Sequence, residues 1–536
     1  MSGPDDDGLT PDAAALVAFS SGVSADGTLA AVSGWRWDKN TPPTYGNDDD
    51  SARKWGGGAA GTPGIVRYAF DPSSAWTQGE QASFRAALTL WSDIAGITFS
   101  PADLSGGDAT APFTIYRYGT PTPPPGGLDP GSYAAAVHAN GRPGDATIPA
   151  TERAMLSIQT DAPTDDLASF TARGGWGIAT VVHELGHILG LDHTGPYDGN
   201  VDPATQQLNP YDTRLWSIMS YIDPGNRSAR YVDTYTVTGT DWGQAPDRYP
   251  RQPTTPMMLD IPAAQRLYGK PAATALAGGQ VFGFNCNITD AARPFFDFTV
   301  DTAPVVTLWD AGAGNTLDLS GYATPSLIDL NPGRFSSFAG MTNNLGIAAG
   351  TRIDHAVGGR GDDTFIVNSD GNAIEGGGGT DTVRFAGRLD QYTLTRTGAV
   401  VTAVATDAVT GGTYRLSDVA TLQFADQTIQ AAGIADGGPL GPLNAAQTQL
   451  AGFMSGIDAD GRLTASNGWT WNGNDPATYG TEGSAHKWAG GPAGTPATIS
   501  YWLDPGSAWT ETETASFLAS MSLWSSLANV RFTAAP

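Results

Sequence analysis

Between Val181 and Gly195 the chain reads V-V-H-E-L-G-H-I-L-G-L-D-H-T-G, a stretch that holds three of the six histidines in the whole sequence. His183 and His187 are four apart, so on a helix they stand one turn from each other on one face, where two ring nitrogens can grip a single metal ion. Glu184 lies roughly 100° further round an ideal helix, beside such an ion, and can hold a bound water without being a ligand. Gly190 permits the left-handed backbone that ends a helix, and the following turn carries His193 back toward the first two. Three neutral imidazoles leave one vertex of a tetrahedral zinc open to water, which separates a catalytic site from a structural one. A short H-E-x-x-H match is a common accident, and single histidines are usually surface or satisfied core residues. A third histidine at a fixed offset in a histidine-poor chain favours zinc.

At 536 residues the chain is too long for one core, and three or four domains are expected. A net charge of -26 argues against a nucleic-acid partner, which needs clustered Lys and Arg, and suits divalent cations. Abundant glycine and proline with 10% aromatics point to a turn-rich, β-heavy globular protein rather than a disordered acidic one. The single cysteine, Cys286, excludes an internal disulfide and reads as a buried small hydrophobe rather than a nucleophile. No apolar run approaches the roughly 18 residues that cross a bilayer, so no transmembrane segment is expected. The amino terminus has neither the basic nor the apolar part of a Sec signal peptide. Two options remain, a cytoplasmic protein or one exported by a route that reads another part of the chain.

Residues 21–102 reappear at 455–536. S-G-W-R-W-D from Ser33 is answered by N-G-W-T-W-N from Asn467, A-R-K-W-G-G-G from Ala52 by A-H-K-W-A-G-G from Ala485, and Y-A-F-D-P-S-S-A-W-T from Tyr68 by Y-W-L-D-P-G-S-A-W-T from Tyr501. Copies so far apart cannot stack as a solenoid and look like the beginnings of two domains of one type. Within each copy a strand such as Ile65 to Phe70 precedes a helix with Thr77 as N-cap and Glu80 completing a capping box. Phe84, Ala87, Leu88 and Trp91 follow helical spacing, and Gly96 to Ser100 reads as a second strand. Trp35, Trp37 and Trp55 could stack on carbohydrate, but packing is the commoner use of such residues. Further strands are expected at Phe113 to Tyr118 and Ala154 to Thr160, a helix from near Trp176, and another over Pro256 to Gly269.

H-E-L-G-H-I-L-G-L-D-H followed by S-I-M-S-Y, Ser217 to Tyr221, resembles the paired signature of the metzincin zinc peptidases. L-D-I-P-A-A-Q-R-L-Y-G, then V-F-G-F-N from Val281, L-W-D-A-G from Leu308, L-D-L-S-G-Y from Leu317 and L-G-I-A-A-G from Leu345 make the chain similar to serralysins over roughly residues 60–430. The resemblance implies that Met219 forms a turn under the metal and that Tyr221 comes to the site. Two departures stand out. Thr194 replaces the proline that commonly follows the third histidine, leaving the ligand intact. Asn315 stands where an aspartate is usual in a calcium-binding turn, which puts that calcium site in question.

G-G-R-G-D-D-T-F-I from Gly358 and G-G-G-G-T-D-T-V-R from Gly376 match the calcium nonapeptide G-G-x-G-x-D-x-U-x in register. Glycines Gly359, Gly361, Gly377 and Gly379 allow tight turns, Asp363 and Asp381 supply charged oxygens, and Phe365 and Val383 point into the roll. Few turns mean few calcium ions. The expected class is thus α+β: a propeptide-like segment over 1–30, a metzincin-type catalytic domain over 31–270, a parallel β-roll of the RTX kind within 271–383, and a β-rich cap over 384–435. A linker, 436–443, leads to a partial duplicate of the catalytic domain's beginning, 444–536. Its histidine, His486, aligns with Arg53, and it stops before any counterpart of the zinc helix, so it is not expected to form a second active site.

The leading expectation is hydrolysis of peptide bonds in extracellular proteins, with Glu184 as general base, Tyr221 as oxyanion donor and the strand near Ala154 as the edge on which substrate pairs. The alternative is a secreted calcium-dependent binding or adhesive protein whose peptidase site has decayed, favoured by the thin roll and the incomplete duplicate. Serralysins leave bacteria through a type I secretion system that reads the carboxyl end and carry short propeptides. The resemblance therefore implies an extracellular protein, with that system and a proteinaceous inhibitor as partners besides its substrates.

Overall fold

The computed structural model describes residues 9–38, 44–45, 51–102, 112–118, 133–138, 141–159, 173–232, 242–406, 411–434, 454–455, 462, 496–507, 509–528 and 530–535. The linker 436–443, His486 and the paired tryptophans of the second copy lie outside these residues. Two compact units divide the chain, Met1–Ile366 and Val367–Pro536.

The first unit begins with helix α1, Pro11–Ser21, capped by the Thr10 side chain and closed by Gly22 at φ 67°. Its end is tied to the chain beside His193, because the Asp192 N–H donates to the Ser20 carbonyl at 2.8 Å. A mixed sheet follows, in the order Lys54–Trp55, Ala150–Gln159, Phe113–Tyr118, Gly64–Phe70, Ile97–Pro101. These neighbours all run parallel. One more strand, Tyr133–His138, pairs antiparallel with Ala150–Gln159. The expected edge strand near Ala154 is therefore not an edge, since it has Phe113–Tyr118 on one flank and Tyr133–His138 on the other.

Helix α2, Gln78–Ile94, carries the expected capping box, with Glu80 N–H on Thr77 Oγ1 at 3.3 Å and Thr77 N–H on Glu80 Oε2 at 2.8 Å. Phe84, Ala87, Leu88 and Trp91 are at most 3% exposed, the face that helical spacing singles out. Helix α3, Trp176–Ile188, lies against α2, and the Trp91 indole N–H donates to the Val182 carbonyl at 3.2 Å. Tryptophans of the repeated motif hold the far end of α3: Trp55 Nε1 donates to Ile188 O at 2.9 Å and Trp35 Nε1 to Gly190 O at 3.1 Å. Those two rings pack the helix terminus. After the short α4, Pro203–Gln206, helix α5 spans Asp260–Tyr268. It starts four residues later than helical spacing suggests, because the Asp260 carboxylate takes the Met257 N–H at 2.7 Å and makes a turn of what precedes it.

Past α5 the first unit becomes a stack of short parallel strands. Asn315–Asp318 pairs with Val281–Gly283 and with Ile353–Val357, and Leu327–Asp329 with Thr364–Ile366. The second unit continues in the same style, Ala373–Glu375 beside Thr413–Ser417 and Thr382–Arg384 beside Thr421–Gln423. Antiparallel strands Tyr392–Thr397, Val400–Ala405 and Thr413–Ser417 complete it. The second sequence copy repeats the strand–helix–strand arrangement: Ala497–Tyr501 is parallel to Val530–Ala534, and helix Glu511–Leu527 has a Thr510–Glu513 capping box. Packing differs between copies. Trp91 and Phe84 are fully buried, whereas their counterparts Trp524 and Phe517 are 63% and 42% exposed.

Candidate metal centre

Helix α3 supplies His183 and His187 from one face, and its exit sets the third histidine. Gly190 has φ 101°, and a Cβ there would run into the Arg53 carbonyl, so the exit is restricted to glycine twice over. The Leu191 N–H returns to the Gly186 carbonyl at 2.9 Å, and His193 swings back over the helix. The three rings converge: centroids are 4.8 Å apart for His183 and His187, 4.7 Å for His187 and His193, and 5.3 Å for His183 and His193. Their candidate ligand atoms all lie within 4.8 Å of one another.

Each ring is held by its other nitrogen. Nδ1 faces a backbone carbonyl in every case, Ile218 for His183 at 2.8 Å, Leu191 for His187 at 2.9 Å and Tyr197 for His193 at 2.9 Å. A carbonyl only accepts, so Nδ1 carries the proton and the Nε2 lone pairs are left for the common centre. His183 Nε2 is buried with no hydrogen-bond partner, and the Nε2 atoms of His187 and His193 are 3.2 Å apart. Burial, then the neighbouring histidines, keeps His183 well below the usual imidazole range, and burial pushes His187 down to about 4. Converging imidazole nitrogens, each ring fixed through its Nδ1, are the donor set that zinc takes.

Glu184 is 7% exposed and lines, with His183, Trp176, Arg214, Ile218 and Tyr221, a cavity of about 530 Å³. The Tyr221 ring lies 4.4 Å from His193 and 5.6 Å from His183, and burial followed by the charge of Glu184 raises its phenol, keeping it protonated. Met219 is fully buried beneath α3, where a Cβ on Gly186 would stand 2.5 Å from its sulfur. The structure thus brings together His183, His187, His193, Glu184, Met219 and Tyr221.

Two carboxylates escaped sequence reasoning. Asp260, 1% exposed, accepts from Ser217 Oγ at 2.5 Å and from the Ile218 N–H at 2.7 Å, bracing the turn that carries Met219. Asp212, fully buried, collects hydroxyls from Thr194, Tyr197 and Ser220. An acidic first-turn residue of α5 was the available signal for Asp260; Asp212 had none.

The nonapeptide residues lie in tight turns. Asp363 and Asp381 are each 1% exposed, and Phe365 and Val383 fully buried. Gly377 and Gly379 have φ 92° and 101°, while a Cβ on Gly359 or Gly361 would meet the backbone at Tyr322 or Thr324. Asp363 accepts the Ser326 and Gly359 amides at 2.7 Å each, and burial raises its carboxyl above the usual range. A carboxylate in such surroundings fits a divalent cation. The Asn315 turn does not. Asn315 Nδ2 donates to the carbonyls of Gly312 at 3.2 Å and Arg352 at 3.0 Å, and Oδ1 accepts the Gln280 N–H at 3.0 Å. An amide donor sits among the carbonyls that would face an ion.

The sheet, the three-histidine centre and the turn beneath it fit a metzincin-type domain, and the chain is similar to known proteins of that class. Residues 63–215 match the Matrixin family model and residues 272–433 the model described as Peptidase M10 serralysin C terminal. The chain is serralysin-like in both regions. It is 32% identical to Metalloprotease AprA of Pseudomonas entomophila over 299 residues, 55% of this chain and 54% of that one. Serralysin C of Dickeya chrysanthemi is 34% identical over 285 residues, 53% of this chain and 52% of that protein, and Serralysin A of the same organism 33% over 287, 53% and 52%. The chain spans about half the length of these curated relatives. Proteins of this kind use a catalytic zinc and structural calcium, and the cluster of His183, His187 and His193 could hold such a metal ion. Among the described residues no helix is long and apolar enough to cross a membrane.

Proposed function

We propose that the chain is a secreted zinc-dependent endopeptidase acting on proteins, with calcium held in the turns at Gly359, Gly361 and Asp363 and at Gly377, Gly379 and Asp381. Zinc held by His183, His187 and His193 supplies a Lewis acid and a water of lowered pKa. Glu184 takes the proton of the attacking water on its carboxylate and passes it to the leaving amine. The protonated Tyr221 phenol donates to the oxyanion that develops on the scissile carbonyl. Among the described residues no strand pairs with the outer edge of Tyr133–His138, and this edge, in place of the interior strand near Ala154, is where a substrate strand pairs its backbone. Residues 271–383 are read as ending in a β-roll with the cap over 384–435. Export by a type I system and control by a proteinaceous inhibitor belong to the same reading.

The observation that carries this proposal is the convergence of three Nε2 atoms with every Nδ1 already engaged. Purified protein should contain one zinc per chain and cleave casein in a chelator-sensitive way. Stoichiometric zinc without cleavage of any protein substrate would overturn the peptidase reading and leave the calcium-dependent binding protein.

A further inference from the structure

The loop after His193 and the turn before Tyr221 meet on one buried carboxylate. Asp212 Oδ1 accepts from Thr194 Oγ1 at 2.6 Å, from Tyr197 OH at 2.5 Å and from Ser220 Oγ at 3.0 Å, while Oδ2 takes the Leu208 N–H at 3.1 Å. Thr194, Asp212 and Ser220 are fully buried and Tyr197 is 1% exposed, so none of these bonds competes with water. A carboxylate only accepts, which forces all three hydroxyls to donate inward and turns their lone pairs outward. Two backbone amides use those lone pairs. The Ile222 N–H donates to Ser220 Oγ at 3.1 Å and the Tyr221 N–H reaches Tyr197 OH at 3.5 Å.

The same tyrosine serves the metal side. Its carbonyl accepts His193 Nδ1–H at 2.9 Å, and its ring lies alongside both His193, at 5.9 Å and 28°, and Tyr221, at 5.7 Å and 26°. Gly195 leaves no room for a side chain, since a Cβ there would stand 2.5 Å from Asp212 Oδ2. One acid therefore sets the direction of the hydroxyl hydrogen bonds that tie the loop after His193 to the turn before Tyr221.

We propose that Asp212 is a positioning residue that couples zinc affinity, through Thr194, to the placement of Tyr221, through Tyr197 and Ser220. This rests on the zinc-peptidase reading above. Thr194 is the member that ties the third histidine most directly to the acid, because it follows His193 in the chain and its hydroxyl donates to Asp212.

The full chain tests this with four variants, Asp212→Asn, Tyr197→Phe, Thr194→Val and Thr194→Ser. For each, the zinc dissociation constant is read by competition with a chromophoric chelator, kcat and KM on a peptide substrate, and Tm by circular dichroism. Thr194→Val should weaken zinc roughly 10-fold or more and Thr194→Ser should restore it, a rescue that loop packing alone does not provide. Tyr197→Phe, which keeps the ring and the carbonyl, should lower kcat about 10-fold with KM and zinc affinity near wild type. Asp212→Asn should lower both. Variants that lose Tm together while zinc affinity and kcat per folded molecule stay within about two-fold of wild type would reduce Asp212 to a structural buttress and overturn the proposal. If wild type binds zinc but cleaves nothing, the peptidase reading falls alone, and the Thr194 pair still decides the zinc half.

Discussion

Asp260 Oδ2 accepts the backbone N–H of Ile218 at 2.7 Å, and the carbonyl of that same Ile218 faces Nδ1 of His183 at 2.8 Å. One residue thus relays the position of an α5 carboxylate to the first histidine. Asp260→Ala leaves the Ser217 hydroxyl and two amides unsatisfied in the core, so it should cost about 3 kcal/mol in urea unfolding. Zinc affinity should fall roughly 10- to 100-fold as His183 loses its brace. An unchanged zinc dissociation constant would sink the relay.

Glu184→Gln keeps the size of the side chain and removes its basicity. Zinc content should be unchanged, and casein turnover should drop by about two to four orders of magnitude. Retained turnover would remove the general-base role.

Gly186 and Met219 share one space. Gly186→Ala places a methyl 2.5 Å from the Met219 sulfur, and overpacking of this kind costs about 1 to 3 kcal/mol. Adding Met219→Ala to it should recover part of that loss if the clash is the cause. Thermal unfolding of the two variants against wild type reads the difference directly.

Asn315→Asp exchanges a donor for an oxygen facing the carbonyls of Gly312 and Arg352. Without calcium the variant should lose about 1 to 3 kcal/mol. Millimolar calcium should return more stability to the variant than to wild type, because the new carboxylate gives the ion a ligand. Equal calcium increments in the two proteins would count against the amide standing in for a cation.

Asp93, at the end of α2, is pushed up to about 7 by burial and by the nearby Asp290 carboxylate. A raised folded value means the folded state holds this proton where the unfolded chain has lost it. Stability from Asp93 is therefore full below about pH 4 and is lost as pH climbs to about 7. Asp93→Asn should match wild type near pH 4 and exceed it by on the order of 1 to 2 kcal/mol near pH 8. Melting temperatures across that range check it, and parallel curves would contradict it.

Much of the centre was legible because it is local. His183, Glu184 and His187 lie on one helix whose spacing speaks for itself, Gly190 announces its exit, and the Thr77 capping box repeats at Thr510. The Asp212 network was not legible and Asp260 offered only its place in the first turn of α5, because side-chain hydrogen bonds between separate loops and turns leave no periodic mark. Strand Tyr133–His138 was missed for another reason. Y-A-A-A-V-H has weak strand propensity, and pairing with Ala150–Gln159 makes it a strand. That omission also misassigned the edge: without the outer strand, the interior one looked free.

The twofold appearance of the strand–helix–strand segment has a bearing on biosynthesis. Its later occurrence acquires parallel pairing and a capped helix although Trp524 and Phe517 remain in contact with solvent. In the first occurrence the same greasy face is sheltered by chain made afterwards, where the Trp91 indole N–H donates to the Val182 carbonyl of α3. As the ribosome delivers the amino-terminal occurrence, Trp91 must wait for α3 to emerge before it is covered.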